Sequence, residues 1–551
     1  MKHAKPYIVC GIVVIFVLLL QLNTWSASYG SVEQFRGANL KEDIFYPLIA
    51  KSINDEKRLN VKLDGAPIVN EFDEVHVGRD KSILLSFDFV RDKLNLSTFY
   101  IDDDTARIMY NGTETKVDLI SDNNIDYVKA DDVCRITGYS SNADLEALTV
   151  DISTNGKSSK LPGSFDLRKY DRVSEAMNQG NASTCWAYAS ILALESAVLP
   201  RKAEYDVDAM IKFNGEVANN NNAGGAFTNA LAYLLSWNGP INKNSSSILL
   251  SGNDVDEVKH VQEAKFYKHS DINDIKWAVY KYGGVSTSIF ANISNSNLDN
   301  SNYYNAATNG YCYNGTNEPN HEITIIGWDD NYDASNFGVS VKGNGAFICQ
   351  NSWGKGFGES GVFYVSYYDS NIGAQAVAYS RITEPDYYNN IYQCDLCGWK
   401  GQLGYGQSNA LAANIYTAKS GELLRAVGLY AIDKGANVDV YLVRNYNGTE
   451  SLKEREKVAS RSFDTAGYYT IELDKPVELQ SGEQFAIVID IRIPNAQRPV
   501  AMEYKVSESD VNVKVDDGEG YISKDGMTWE SVEDKANGNL CLKAYTSNVG
   551  E

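Results

Sequence analysis

Asn178-Gln179-Gly180-Asn181-Ala182-Ser183-Thr184-Cys185-Trp186-Ala187-Tyr188-Ala189-Ser190-Ile191-Leu192-Ala193-Leu194-Glu195 is the stretch on which the reading of this chain turns. Its first seven residues are turn and cap types and those from Trp186 onward are helix formers, so a helix is expected to begin at Cys185. A thiol in the first turn of a helix meets free backbone N–H groups and the positive end of the dipole, which stabilise a thiolate and make it a nucleophile at neutral pH. A buried core cysteine at a helix end fits the same local sequence, and the stretch alone leaves both readings open.

A thiol nucleophile needs a base, and the chain has five histidines. His3 lies in the apolar N-terminal segment, His76 in a β-rich stretch, and His260 and His269 in a charged, surface-like stretch. Only His321 precedes a continuous apolar run, Ile323-Thr324-Ile325-Ile326-Gly327-Trp328, as a residue at the mouth of a buried strand would. Its alternative is a structural histidine.

Ser164-Phe165-Asp166-Leu167-Arg168, Asn178-Gln179-Gly180, Cys185-Trp186-Ala187-Tyr188 and Asn351-Ser352-Trp353-Gly354-Lys355-Gly356-Phe357-Gly358-Glu359 together resemble the papain-like cysteine protease family, at four places in the family's order. His321 falls within the roughly 130–150 residues that separate base from nucleophile in that family, and Asn351 a little beyond it. The resemblance implies Cys185 as nucleophile, His321 as general base, Asn351 as the residue orienting the imidazole, Trp353 as the cover over that hydrogen bond, and Gln179 as the oxyanion-hole side chain. It also implies that Gly224-Gly225 line the cleft and pair with an extended peptide; an ordinary turn before a helix is the alternative. Glu322 falls where the family has a small residue beside the second specificity pocket, which suggests a basic side chain there. The chain departs from the family at Ala182-Ser183-Thr184, where a disulfide-forming cysteine and a glycine are usual; a side chain at Ser183 narrows the cleft.

Working outward, the polar linker 154–161 precedes a helical half and then a strand half over 162–382, the expected α+β papain-like catalytic domain. Upstream, residues 60–153 alternate in short runs punctuated by Asp64-Gly65 and Asn111-Gly112, a small β-rich domain with hairpin turns. Its Lys62-Leu63-Asp64-Gly65-Ala66-Pro67 and Tyr127-Val128-Lys129-Ala130-Asp131-Asp132-Val133 resemble the module named after the N-terminal domain of copper amine oxidases, without a histidine or cysteine cluster for copper. Residues 383–551 read as an all-β sandwich, and Ala413-Asn414-Ile415-Tyr416-Thr417, Gly520-Tyr521-Ile522-Ser523 and Asn539-Leu540-Cys541-Leu542-Lys543-Ala544-Tyr545 resemble the lectin-like domain attached to some bacterial papain-like proteases. Tyrosines there either stack on a cell-surface glycan or pack the sandwich.

Lys2, His3 and Lys5 before an apolar run from Tyr7 to Leu20 and the small residues Ser26-Ala27-Ser28 have the order of a secretory signal over residues 1–28, cleaved or kept as an anchor, with a spacer over 29–59. The membrane is expected to be met only through this segment, and the rest of the chain outside the cytoplasm. A net charge of −22 argues against nucleic acid as a partner. Beyond Cys10 seven cysteines remain, an odd number that leaves at least one unpaired; Cys394 and Cys397 read as a disulfide or a free pair in preference to a zinc site. No cofactor and no metal is expected. The sequence reads as an exported cysteine endopeptidase acting on protein or peptide substrates, with residues before Leu161 available as a prosegment over the cleft. The alternatives are a catalytically impaired surface binding protein on the same scaffold and an acyl transferase using the same pair.

Overall fold

The computed structural model describes residues 59–549 apart from 123–124, 202–203, 218–223, 244–258, 269–270, 293–300, 506–512 and 516–517; the expected signal 1–28, nearly all of the spacer 29–59, and His269 lie outside the described residues.

From Asn60 to Ser153 the chain builds three small sheets and the helix Ala130–Thr137 around one apolar cluster that includes Val75, Phe89, Ile108 and Val128. Both hairpin turns adopt left-handed conformations at their two central residues, with φ of 50° and 78° at Asp64-Gly65 and 51° and 78° at Asn111-Gly112, the arrangement whose twist matches the flanking strands. Parallel pairing of Asn60–Leu63 with the strand Thr149–Ser153 ties the start of this unit to its end.

The helix Cys185–Val198 is apolar on every side, and Trp186, Ala187, Ile191, Ala193 and Leu194 are all buried, so it lies inside the molecule and not on its surface. It packs against the strand His321–Asp329, where Thr324 Oγ1 donates to the Ala189 carbonyl at 3.0 Å. Close approach at Gly284 helps: a Cβ there would stand 2.9 Å from Thr324 Cγ2 and 3.2 Å from Ala193 Cα. The strand is flanked by Val285–Ile289 and Ala346–Gln350, with Ile289 opposite His321 and Cys349 opposite Ile325. Helices Val207–Val217 and Phe227–Leu235 complete the helical half.

Two sheets face each other in the C-terminal region. One carries Glu456–Phe463, Ala436–Val443, Gln484–Arg492, Asn409–Thr417, Gly520–Ser523 and Glu530–Ser531; the other carries Ala466–Leu479, Glu422–Ala431, Leu542–Asn548 and Asn390–Tyr392. The sheet runs on across the boundary expected near residue 382. The strand His260–Tyr267 pairs with Ala376–Thr383 on one side and with Ala466–Leu479 on the other, so one sheet of 13 strands runs from the β half into the sandwich, and one core cluster holds Trp186 together with Ile489. His260, read as surface-like, is fully buried and stacks on Trp237 at 3.8 Å between ring centroids. Its strand reads as charged because Glu263 and Lys265 meet partners from other parts of the chain: Arg381 Nε at 3.3 Å and Asp92 Oδ1 at 2.9 Å. Of the tyrosines quoted for the lectin-like resemblance, Tyr416 and Tyr545 are buried in the sandwich.

Arg381 ties the N-terminal unit to the protease region. It donates to Glu74 Oε1 at 2.6 Å and Asp88 Oδ2 at 2.9 Å from the N-terminal unit, to Glu263, and lies over the Phe72 ring at 4.0 Å. Phe72 N donates to Glu472 Oε2 at 2.7 Å and Arg461 pairs with Glu71, so the same unit also grips the sandwich. At its other end Ser97 bonds the Tyr280 carbonyl and Phe99 lies under Arg172, whose guanidinium binds the Ser196 carbonyl near the end of the Cys185–Val198 helix. Residues 59–160 are thus docked around the C-terminal end of that helix, about 20 Å from Cys185, and the cleft occlusion expected of the segment before Leu161 is not what its described part does.

Replacing Arg381 with Ala strands the Glu74 carboxylate, 3% exposed, in the interior. Urea unfolding should register a loss of about 3–5 kcal/mol, and the Glu74→Gln, Arg381→Met double variant should recover part of it. Equal stability of wild type and Arg381→Ala would mean that the seam does not hold the regions together.

Candidate active site

The Cys185–Val198 helix begins after Thr184, whose side chain makes no capping bond, so the N–H groups of Cys185 and Trp186 stay uncapped, while Ala187 N–H turns back to the Thr184 carbonyl at 3.0 Å. Cys185 is half-buried. Burial pushes its thiol up, against the lowering pull of the backbone N–H groups of Glu322, Trp186 and Cys185 itself. The pull of the Glu322 N–H on the thiol places the sulfur near the start of the strand that begins with His321.

His321 is 7% exposed and its Nε2 lies 2.8 Å from Asn351 Oδ1. The same oxygen accepts from Ser352 N at 2.8 Å, which identifies it as the carbonyl end of the amide. A carbonyl oxygen only accepts, so Nε2 carries the hydrogen and the neutral ring keeps its lone pair on Nδ1. Burial pushes His321 down to about 4, with the Asn351 bond pulling the other way. Asn351 itself is 1% exposed and anchored by its N–H to the Gly361 carbonyl at 2.9 Å. Trp353 stacks on the imidazole at 4.8 Å and 26°, braced edge-on by Phe357 at 5.0 Å.

Gln179 is tied to this side of the site twice. Its N–H donates to the Ser352 carbonyl at 2.8 Å, and its Oε1 accepts from Ser352 Oγ. Nε2 gives one hydrogen to the Ala182 carbonyl at 2.6 Å, in the turn leading into Cys185, and a primary amide carries a second. Ser352 was assigned no role in the sequence reading although it lies inside the quoted Asn351–Glu359 motif; its position between two assigned residues was the available signal.

Gly225 packs against the Trp186 indole so closely that a Cβ would come within 2.5 Å of it, while a Cβ on Gly224 would stand 3.9 Å from that of Ser183. Ser183, exposed, and Gly224 therefore lie side by side. Glu322 is 7% exposed, and its Oε1 accepts from Phe227 N at 3.2 Å. Burial raises its carboxyl to about 7, against the pull of that N–H. Neither Cys394 nor Cys397 nor any other described cysteine forms a disulfide, and no group of three or more His, Cys, Asp or Glu side chains among the described residues is arranged to hold a metal.

Residues 161–382 match the papain family cysteine protease family and residues 391–546 the lectin like domain family; neither match extends over 60–153. Cysteine proteinase 1 of Entamoeba histolytica is 30% identical over 214 residues, 37% of this chain and 62% of that protein. Fruit bromelain of Ananas comosus is 27% identical over 249 residues, 43% of this chain and 64% of its own length. The chain thus spans less than two thirds of either relative. Among solved structures, the clostridial cysteine protease Cwp84 after propeptide cleavage superposes with a TM-score of 0.60 at 24% identity, covering 70% of this chain and 99% of that one. The cysteine protease and lectin-like domains of Cwp84, a surface layer associated protein of Clostridium difficile, superpose with a TM-score of 0.59 at 22% identity, covering 71% and 89%. At these identities the likeness is one of fold. The chain is a multidomain protein with an α+β papain-family cysteine protease domain followed by a lectin-like β domain.

The depressed basicity of His321 carries a sign. Above pH about 6.5 the ring is neutral folded and unfolded and contributes nothing; as pH falls from there to about 4 only the unfolded chain takes the proton, so stability declines by roughly 1.4 kcal/mol per unit. Denaturant unfolding of wild type and His321→Gln at pH 7 and pH 5 should show the variant losing less on acidification. Identical losses would mean that the ring is not buried neutral.

Proposed function

We propose that the chain is an exported papain-like cysteine endopeptidase, with Cys185, His321 and Asn351 as its catalytic residues and Gln179 in the oxyanion hole. The observation that carries this reading is the bond between His321 Nε2 and Asn351 Oδ1 under Trp353, which assigns the proton-accepting lone pair to Nδ1. Cys185 gives its proton to Nδ1 and its sulfur attacks the scissile carbonyl carbon. The carbonyl oxygen, now negative, is met by the open N–H of Cys185 and the second Nε2 hydrogen of Gln179. The imidazolium returns the proton to the leaving amine as the C–N bond breaks, leaving a thioester. Water then loses a proton to His321 as it attacks that thioester, and the second tetrahedral intermediate collapses to release the carboxylate product and the Cys185 thiol.

The charged N-terminal segment with its apolar run supports export, and the surface-layer association named for Cwp84 fits a place outside the cell for this chain too. Substrates are proteins and peptides. The lectin-like region is the part suited to hold a surface glycan or protein, apart from the chemistry.

Incubation with an epoxide inhibitor of papain-like enzymes should place an adduct on Cys185 by mass spectrometry, absent in Cys185→Ala. Gln179→Ala should lower kcat about 10²–10³-fold while labelling persists. Mass spectrometry of a digested protein substrate should find cuts at internal bonds; release of terminal residues alone would refute the endopeptidase assignment, and an unlabelled Cys185 the catalytic one.

A further inference from the structure

We propose that the turn 71–74 is a proton-operated latch: a His76 imidazolium bonded at both nitrogens holds the turn in the shape that presses Phe72 into the seam, and loss of its proton frees the N-terminal unit there. Phe72 and Asp73 both have a left-handed backbone, with φ of 49° and 50°. For residues with a Cβ that conformation is strained, so it persists only while the surroundings hold it. The strained shape is what delivers Phe72, whose N–H reaches Glu472 and whose ring lies under Arg381 and stacks on Tyr387 at 5.8 Å between centroids.

His76 is 3% exposed and lies between two carboxylates: its Nδ1 is 2.6 Å from Asp73 Oδ2 and its Nε2 is 3.2 Å from Asp122 Oδ2. A neutral imidazole has a single N–H, so only the imidazolium donates to both. One bond ties the ring to the strained turn, and the other ties it to the strand Ile120–Asp122. Tyr127 OH donates to the Asp73 carbonyl at 3.0 Å, with its ring 5.4 Å from the imidazole, and the strand Ile83–Ser86 sets apolar Leu84 opposite His76. Burial lowers the ring's hold on its proton, but the Asp73 and Asp122 carboxylates outweigh it and raise His76 above its ordinary 6.5. The latch is therefore closed in full below pH about 6.5 and opens as pH rises through the raised value. Once neutral, the ring turns a lone pair toward one carboxylate, and a bond that offset the strain is lost. On the seam side Glu71, pushed up to about 7 by burial against the pull of Arg461, acts in the same direction, so the histidine's share is the part that vanishes with His76.

Hydrogen exchange of full-length Cys185→Ala, in which self-cleavage cannot mimic opening, reads the latch through the bonded N–H groups of Phe72, Glu74 and Val75. Their protection, corrected for the intrinsic rate at each pH, is expected to fall about tenfold or more between pH 6 and pH 9, while the strand His321–Asp329 keeps its own. His76→Gln in that chain is expected to start from lower protection and lose less. Asp122→Asn, which leaves the ring one carboxylate, is expected to move the fall to lower pH. Equal protection at both pH values, or the same fall with and without His76, overturns the proposal. Carbon-13 NMR of histidine Cε1 gives a second reading: the signal whose midpoint moves in Asp122→Asn is expected to titrate above 6.5, and titration at or below that value overturns the proposal as well.

Discussion

Everything in the site depends on how the buried helix Cys185–Val198 lies on the strand His321–Asp329. A helix apolar on all sides is stable only where other elements cover it completely, and here the sheet provides one cover, the helices Val207–Val217 and Phe227–Leu235 another. The contacts are set by small groups: Gly284 leaves room, and Thr324 bonds the Ala189 carbonyl. Once residues 189 and 324 are in register, the start of the helix meets the start of the strand, and the Cys185 sulfur finds the N–H of Glu322. A slip of one strand residue would turn His321 to the opposite face.

The support for that register is not confined to the protease region. The strand His260–Tyr267 extends the sheet into the sandwich, and Phe227, at the edge of the site, packs on Phe266, which in turn stacks against Trp399 and Tyr430 of the C-terminal region. Gly398 presses on Ala232 of the same helix that Phe227 begins, 2.9 Å from where its Cβ would be. The lectin-like region therefore acts as a wall behind one side of the site as well as a separate unit. The N-terminal unit works at the other end of the buried helix, through charges that have no solvent to fall back on. Its role in the fold is structural, since its removal would leave Arg381, Lys265 and Arg461 without Glu74, Asp92 and Glu71.

Local features of the chain were legible because their causes are local. The helix start at Cys185, the two left-handed hairpin turns and the strand after His321 each follow from neighbouring residues, and the papain-like fold of residues 162–382 was implied by the family resemblance of four motifs. What escaped the reading is pairing across long separations. Glu263 and Lys265 look like surface charges until Arg381 and Asp92 are brought to them by folding, and His260 looks exposed until Trp237 covers it. The shared sheet escaped for the same reason: an edge strand carries no mark in its own residues of which distant strand will complete it. Asn351 and Gln179 were identifiable singly, but Ser352, which joins them, was silent because a serine inside a motif has many ordinary uses.

The electrostatics of the site reconcile two opposed demands. Burial favours the neutral forms of Cys185, His321 and Glu322 alike, and the shifts of all three have it as their largest cause. A reacting site needs the first two charged, if only transiently. The open N–H groups at the helix start and the N–H of Glu322 favour the thiolate, while Asn351 favours the imidazolium, and each of these donors or acceptors is fixed by backbone or by a buried amide. Because they are in place before any substrate arrives, they need not reorganise as charge moves from sulfur to carbonyl oxygen. Glu322 acts on the sulfur in both directions: its backbone N–H favours the thiolate, and the charge of its carboxyl opposes it. The burial that disfavours charge here also lowers the local dielectric, so each fixed dipole around the sulfur acts on it more strongly than it would in water.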